Sequence, residues 1–386
     1  MGNISYTGYF DYSASTPMKK EVIKAMEPFF SENFYNPSAI YLKSRAVRLG
    51  LEEERHKIAE TIGAKPSEII FTAGGTEANN LAINGVMAKY NGRQAVISAI
   101  EHDSVIKPAM KFDTKKVSVS QKGLINLDNL VSCISDTTVL VSVMYVNNEV
   151  GSIQPIKEVA EIIRSIRKDR QERSIDLPIY LHTDACQAIN YLDLSISRLG
   201  VDFMTINSGK IYGPKQVGAL YVRAGIVLEP LIDGGGQENG LRSGTENVAG
   251  IFGFAKALQI AQGKFKNEAK RLGDLQYKAL KMIKTEIPTA IINGPNGGKR
   301  IANNLHLSIP GTDNEYLLMQ LDELGFQVAV GSACSASSDE PSHVLSAMGI
   351  SSELAQSSLR ITMGDYTTES DVLGLVQALG KLVNKS

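Results

Sequence analysis

Glu68-Ile69-Ile70-Phe71-Thr72-Ala73-Gly74-Gly75-Thr76-Glu77 decides the fold class, because an apolar, β-branched run stops at two glycines and a helical pattern follows over 79–89. The alternation then repeats. Residues 95–98 and 139–144 read as strands, the second apolar enough to be central. Val159, Ile162, Ile163 and Ile166 recur at i, i+3, i+4, i+7, which marks an amphipathic helix. Strands at 179–183, 202–206 and 219–222 follow. Short strands alternating with helices predict an α/β fold with a mostly parallel sheet covered by helices. After about Gly263 the texture changes. A helical stripe (Leu272, Leu275, Ala279, Met282, Ile283) leads to strands at 304–309, 326–330 and 359–363, a helix around 316–321 and a C-terminal helix. At ~150 residues per domain, 386 residues allow two or three domains. The expected division is a large domain over 13–262 and a smaller α+β domain formed by 1–12 and 263–386. No repeat or linker separates them, so tight packing is expected.

Lys plus Arg total 40 against 41 for Asp plus Glu, a net charge of −1. Such a chain has no global field to hold nucleic acid or an anionic membrane, and neither partner is expected. The basic stretch Arg164-Ser165-Ile166-Arg167-Lys168-Asp169-Arg170 alternates with acids and reads as a solvated helix end. The 3 cysteines lack Cys-x-x-Cys spacing, which excludes a disulfide framework and the common zinc sites, so no metal is expected. No apolar run approaches the ~18 residues a bilayer requires. The opening Met1-Gly2-Asn3-Ile4-Ser5-Tyr6 lacks the basic and apolar regions of a signal peptide. A reduced, cytoplasmic protein is expected.

Three features carry chemistry. Small residues at Ala73-Gly74-Gly75-Thr76 let backbone N–H groups approach an anion at a helix N-terminus, with Thr76 adding a hydroxyl; the alternative is a tight turn with Thr76 as N-cap. Asp184 ends a buried strand at the edge where open α/β sheets bind ligands; it could instead cap a helix beginning at Ala185. Lys210 follows another apolar strand, a placement that suits a Schiff-base lysine. Anion cup, carboxylate and amine together describe what pyridoxal 5′-phosphate needs.

At this point the sequence resembles a known family. Ordered blocks spanning nearly the whole chain match cysteine desulfurases of the NifS/IscS type, members of the class V aminotransferases with the type I pyridoxal-phosphate fold. The blocks are Phe10-Asp11-Tyr12-Ser13-Ala14-Ser15-Thr16-Pro17, Asn36-Pro37-Ser38, Thr76-Glu77-Ala78-Asn79-Asn80, Glu101-His102 and Val146-Asn147-Asn148-Glu149-Val150-Gly151. They continue with His182-Thr183-Asp184-Ala185-Cys186-Gln187, Lys210-Ile211-Tyr212-Gly213-Pro214-Lys215, Gly234-Gly235-Gly236-Gln237-Glu238, Arg242-Ser243-Gly244-Thr245 and Gly331-Ser332-Ala333-Cys334.

The resemblance implies roles. Lys210 would carry the cofactor's aldehyde, Asp184 would pair with the ring nitrogen, and His102 would stack on the ring and serve as a proton donor or acceptor. Asn148 and Gln187 would sit at the phenolic oxygen. Gly75 and Thr76 would hold the phosphate, with Thr245 coming from a second subunit, so a homodimer is implied. Asn36 and Arg360 would clamp the substrate carboxylate. Cys334, within the small-residue run Gly331-Ser332-Ala333-Cys334-Ser335-Ala336-Ser337-Ser338, would attack the sulfur of L-cysteine and carry it as a persulfide. Alanine would leave, and an acceptor for iron–sulfur cluster assembly or tRNA thiolation would take the sulfur. Cys133 and Cys186 read as buried packing.

Two departures stand out. Where the family usually has Ser-Gly-His before the lysine, this chain has Asn207-Ser208-Gly209, so Asn207 or Ser208 is expected to reach the phosphate from a shifted turn. The chain also stops at Ser386 without the longer tail of scaffold-binding members. The competing readings are selenocysteine lyase, another class V lyase or aminotransferase, and a non-catalytic scaffold. The presence of both Lys210 and Cys334 argues against the scaffold.

Overall fold

The computed structural model describes residues 6–331 and 341–384. Its main sheet has seven strands: β1 (Ile69–Thr72), β2 (Gln94–Ser98), β3 (Asp113–Val117), β4 (Thr138–Ser142), β5 (Tyr180–Asp184), β6 (Phe203–Asn207) and β7 (Gly218–Val222). They lie in the order β1-β7-β6-β5-β4-β2-β3. Pairings among β2 to β6 are parallel, and β7 is antiparallel to both β6 and β1. Two reversals cancel, so β1 points the same way as β2 to β6, and only β7 runs backward. The carboxyl ends of these six strands therefore lie on one edge, where such sheets bind ligands.

Alternate residues of each strand face opposite layers. Ile70, Ala95, Ile97, Leu140 and Leu220 pack with the helix Gly75–Lys89 through Ala78, Leu81, Ala82 and Val86. Ile69, Phe71, Val96, Val141, Leu181 and Met204 face the other layer, whose core is continuous with Leu305, Leu307, Leu359 and Ile361 of a second sheet. That sheet is antiparallel, β10 (Ser358–Thr362), β9 (Asn304–Ser308) and β8 (Ile291–Ile292). The helix Val248–Glu286 packs against the helices Leu42–Ile62 and Glu369–Val383, one from each part of the chain. Its length lets it run alongside both sheets' supporting helices.

Three expectations change. Residues 326–330 are not a strand; Gln327 bridges to Tyr9 and Ala329 to Arg360, two different neighbours that leave no continuous ladder. The basic helix end is not simply solvated. Arg167 turns inward to the buried Asp202 and the Ile179 carbonyl, and Arg170 is buried, its guanidinium donating to the carbonyls of Leu177, Ser135 and Thr138. Cys133 is half-buried rather than buried. Among the described residues no helix is long and apolar enough to cross a membrane.

Candidate active site

The helix Gly75–Lys89 begins at an N-cap, Gly74, whose φ of 133° no L side chain adopts easily, and no side chain caps it. Thr76 is thus inside the first turn and is not the cap. A Cβ on Gly75 would lie 2.9 Å from Cys186 Sγ, so only glycine lets this turn sit against the next element. The helix end opens into a cavity of about 640 Å³ bordered by Ala73, Gly74, Gly75, Thr76, Asn207, Gly209, Lys210 and Lys215. A second cavity of about 280 Å³ shares Ala14, Gly75, Thr76, Asn207 and Lys210 with it and continues to His102, Asn148, Asp184, Gln187 and Arg360. The two adjoin along the sheet edge through these shared residues.

Asp184, the last residue of β5, is 9% exposed. Its Oδ1 accepts from the Cys186 amide at 2.9 Å and its Oδ2 from Asn79 Nδ2 at 2.7 Å. The segment after it is a series of turns, not the helix that Asp184 could have capped. Asn79 Nδ2 also donates to Ser104 Oγ at 2.8 Å, and that oxygen lies 2.8 Å from His102 Nδ1. The Ser104 amide donates to the same Nδ1 at 3.1 Å. A backbone N–H has no choice of role, so Nδ1 is the acceptor and the neutral ring carries its proton on Nε2. Beneath this wall Glu101 is fully buried. Its Oε1 accepts from the Met144 amide, and burial, with Asp184 nearby, holds its carboxyl well above the usual range.

Lys210 and Lys215 both lie in the connection between β6 and β7, a hairpin closed by Asn207 opposite Gly218 and by the Ser208 amide on the Val217 carbonyl. Lys210 Nζ donates to the Ala14 carbonyl at 2.6 Å, while Asn190 Nδ2 holds the Lys210 carbonyl at 2.9 Å. Asn207 lines the cavity, its Oδ1 accepting from the Gly209 amide at 3.2 Å. Ser208 does not line it. Its hydroxyl is buried without a partner, against Gly213, where a Cβ would come within 2.1 Å of it. Of the two residues expected to reach across the turn, only Asn207 faces the cavity.

Arg360 on β10 is 2% exposed, yet it borders the cavity. Its Nη2 donates to Asp11 Oδ1 at 2.7 Å and its Nη1 to the Asn148 carbonyl at 3.4 Å, and Nε is buried without a partner. Gln187 Nε2 donates to the Ser13 carbonyl. Asn36 and Thr245 are exposed and border neither cavity. Cys334 lies outside the described residues. Cys186 is buried beside Asp184, and burial first, then that carboxylate, pushes its thiol well up. Reasoning from sequence singled out neither Asp11 nor Lys215, although both fall in quoted blocks; the signal available was only their place in those blocks. Among the described residues no cluster of His, Cys, Asp and Glu could hold a metal ion.

A mostly parallel sheet that gathers an amine, a carboxylate and an uncapped helix N-terminus on one edge defines an α/β protein with a small-molecule cleft. The aminotransferase class-V family model matches residues 8–375, and the chain belongs to that family. It is 42% identical to the cysteine desulfurase IscS of Dictyoglomus turgidum over 384 residues, 98% of this chain and 94% of that protein. Among solved structures it is similar to a NifS-like protein, with a TM-score of 0.89 and 32% identity over 98% of this chain and 100% of that one. It is also similar to SspA in complex with cysteine, with a TM-score of 0.79 and 33% identity over 94% of this chain and 100% of that one.

Proposed function

We propose that the cavity takes pyridoxal 5′-phosphate and that the protein is a cysteine desulfurase, converting L-cysteine to L-alanine with the sulfur carried as a persulfide on Cys334. The convergence of Lys210, Asp184 and the helix end at Gly75 on the second cavity carries this reading. The donor set fits the cofactor's three polar features: an uncapped first turn for a phosphate, a carboxylate for a protonated ring nitrogen, and an amine for an aldehyde. When bound, the cofactor supplies an aldehyde that exchanges between amines and a ring that draws electrons from the substrate's α-carbon.

The chain's own residues do the rest. Asp184, oriented by two N–H donors, would hold the proton of the ring nitrogen. Lys210 Nζ takes the substrate's α-proton as general base. His102, with its proton on Nε2, would stack on the ring and exchange protons along the path. Asn148 and Gln187 would serve the phenolic oxygen, and Gly75, Thr76 and Asn207 would hold the phosphate, joined by Thr245 of a second copy. Arg360, which borders the cavity, would receive the substrate carboxylate, whereas Asn36, exposed and outside both cavities, could join it only from a second copy. The Cys334 thiol then attacks the substrate sulfur. The carbon–sulfur bond breaks, a sulfur–sulfur bond forms on Cys334, and carbon keeps the electron pair and takes a proton to leave as alanine. The reading extends to a cytoplasmic homodimer that hands sulfur to an acceptor for iron–sulfur cluster assembly or tRNA thiolation. Exposed Phe30, Phe34, Ile40 and Leu42 support the second copy, as surface that association would cover.

Mass spectrometry after incubation with L-cysteine tests the function. The parent gains one sulfur on Cys334 and releases alanine; Cys334→Ser binds L-cysteine and gains none, because a hydroxyl is a poor nucleophile toward sulfur. Persulfide on Cys186 in place of Cys334 would overturn the assignment of the nucleophile.

A further inference from the structure

The anion end of the cavity holds a cation that the reading above leaves unused. We infer that Lys215 is a second cationic ligand of the cofactor phosphate, an inference that rests on pyridoxal phosphate being the occupant.

Charge comes first. A phosphate monoester carries about −1.5 to −2 at neutral pH, and a helix N-terminus offers roughly half a positive charge. Lys210 is committed to the aldehyde. Thr76 and Asn207 are neutral, and Glu77, the one carboxylate among the described residues of this cavity, is matched by Arg242 Nε at 2.8 Å. Without a further cation the phosphate would sit in this cleft under-neutralised.

Geometry places Lys215 there. It borders the same cavity as Gly75, Thr76 and Asn207. Its amine donates to the Thr16 carbonyl, a neutral acceptor that leaves its charge uncompensated. Lys215 is an exposed residue at the cavity mouth, and the partial burial of its amine, then the neighbouring Lys210 cation, lower its proton affinity, which an anion in contact would restore. The turn that presents it is strained on both sides: Tyr212 has φ 63° and Gln216 φ 59°. Left-handed backbone at non-glycine residues costs energy and persists where surroundings enforce it. Here they do, since the Tyr212 amide donates to Thr16 Oγ1 at 2.8 Å and its hydroxyl accepts from the Asp365 amide at 2.7 Å. Gly209 completes the arrangement. The atoms nearest to a Cβ there would be Lys215 Cδ at 3.7 Å, Asn207 Oδ1 at 3.8 Å and Lys215 Cα at 3.8 Å, so the Lys215 stem lies beside the position where the family's imidazole would stand.

The experiment strips cofactor from the holoenzyme and titrates it back, with pyridoxal phosphate and with pyridoxal, which lacks the phosphate. Lys215→Met keeps the stem and removes the charge. It raises the dissociation constant for pyridoxal phosphate about tenfold or more, about 1.4 kcal/mol, and leaves pyridoxal unchanged. Inorganic phosphate competes less well in this variant than in the parent. Lys215→Arg stays within about threefold of the parent. Gly209→His added to Lys215→Met recovers affinity by placing an imidazole in the same space. Parent-like affinity for pyridoxal phosphate in a folded Lys215→Met would overturn the inference, as would an equal loss for pyridoxal. A parent that binds no pyridoxal phosphate at all would overturn the cofactor reading itself, and this inference with it.

Discussion

The two ends of the cavity manage positive charge in opposite ways. At the Gly75 end, Lys210 and Lys215 end on the carbonyl oxygens of Ala14 and Thr16, and a helix N-terminus adds its own partial charge. At the other end Arg360 is 2% exposed and meets the Asp11 carboxylate at 2.7 Å. Isolation explains the difference. A guanidinium so deeply buried needs a counter-ion, whereas Lys215, exposed at the cavity mouth, is only partly desolvated and needs none. The consequence is functional. The first end attracts an anion through the helix N-terminus and the Lys215 amine, and suits a resident group. The second already has its anion, so an incoming carboxylate gains only the difference between two similar contacts, which suits a ligand that must leave after each turnover.

The largest effect expected is that of Lys210→Ala. Loss of the general base should lower alanine formation by about 1000-fold, within the range found for such groups, and should abolish borohydride trapping at residue 210. The fold should survive, because Asn190 holds the backbone carbonyl and not the amine. Cofactor should still bind through the phosphate, since the anion end works without this side chain. Trapping of the cofactor on Lys215 would merge two functions that are separated here. Arg360→Lys comes next. It keeps the charge and loses the fork, so the KM for L-cysteine should rise roughly ten- to a hundredfold, matching about 1.5–3 kcal/mol for a hydrogen bond to a charged group. The turnover number should change less. An unchanged KM would mean that the compensated end does not receive the substrate.

How much of this was legible in the sequence depends on what each residue faces. Strands β1, β2, β4, β6 and β7 were legible because their residues are almost all buried, giving apolar runs such as Ile69-Ile70-Phe71 even in β1 at one end of the sheet. Edge strand β3, Asp113-Thr114-Lys115-Lys116-Val117, was not, because its exposed residues are polar and charged, as suits an edge that must not pair. Within the site, Lys210, Asp184 and the Gly75 turn announced themselves as polar residues at the ends of apolar strands. Asp11 and Lys215 did not, since their meaning lies in a partner: Arg360 is 349 positions from Asp11, and Lys215 matters through the cavity it borders. Arg170 misled for the same reason, since the carbonyls that bury it come from other segments.

The smallest effect, and the sharpest for the comparison, is that of Asp11→Asn. The amide keeps an oxygen for Arg360 Nη2 to donate to and removes the charge. Arg360 then lacks its counter-ion in a buried setting, which should lower thermal stability. The substrate carboxylate becomes the anion that relieves this, so binding should tighten, and the KM for L-cysteine should fall by about three- to tenfold (about 0.7–1.4 kcal/mol). Tyr9 gives an independent reading. Its phenol is pushed up to about 12, by burial first and by Asp11 second. A negative neighbour disfavours the phenolate, so the variant should let Tyr9 ionise at lower pH while burial still keeps it above 10. Ultraviolet titration follows that shift, and steady-state kinetics follow the KM. A KM that rises while Tyr9 moves as expected would show that Asp11 aims the Arg360 fork at the substrate and does not compete with it, and the contrast between the two ends would then be one of orientation.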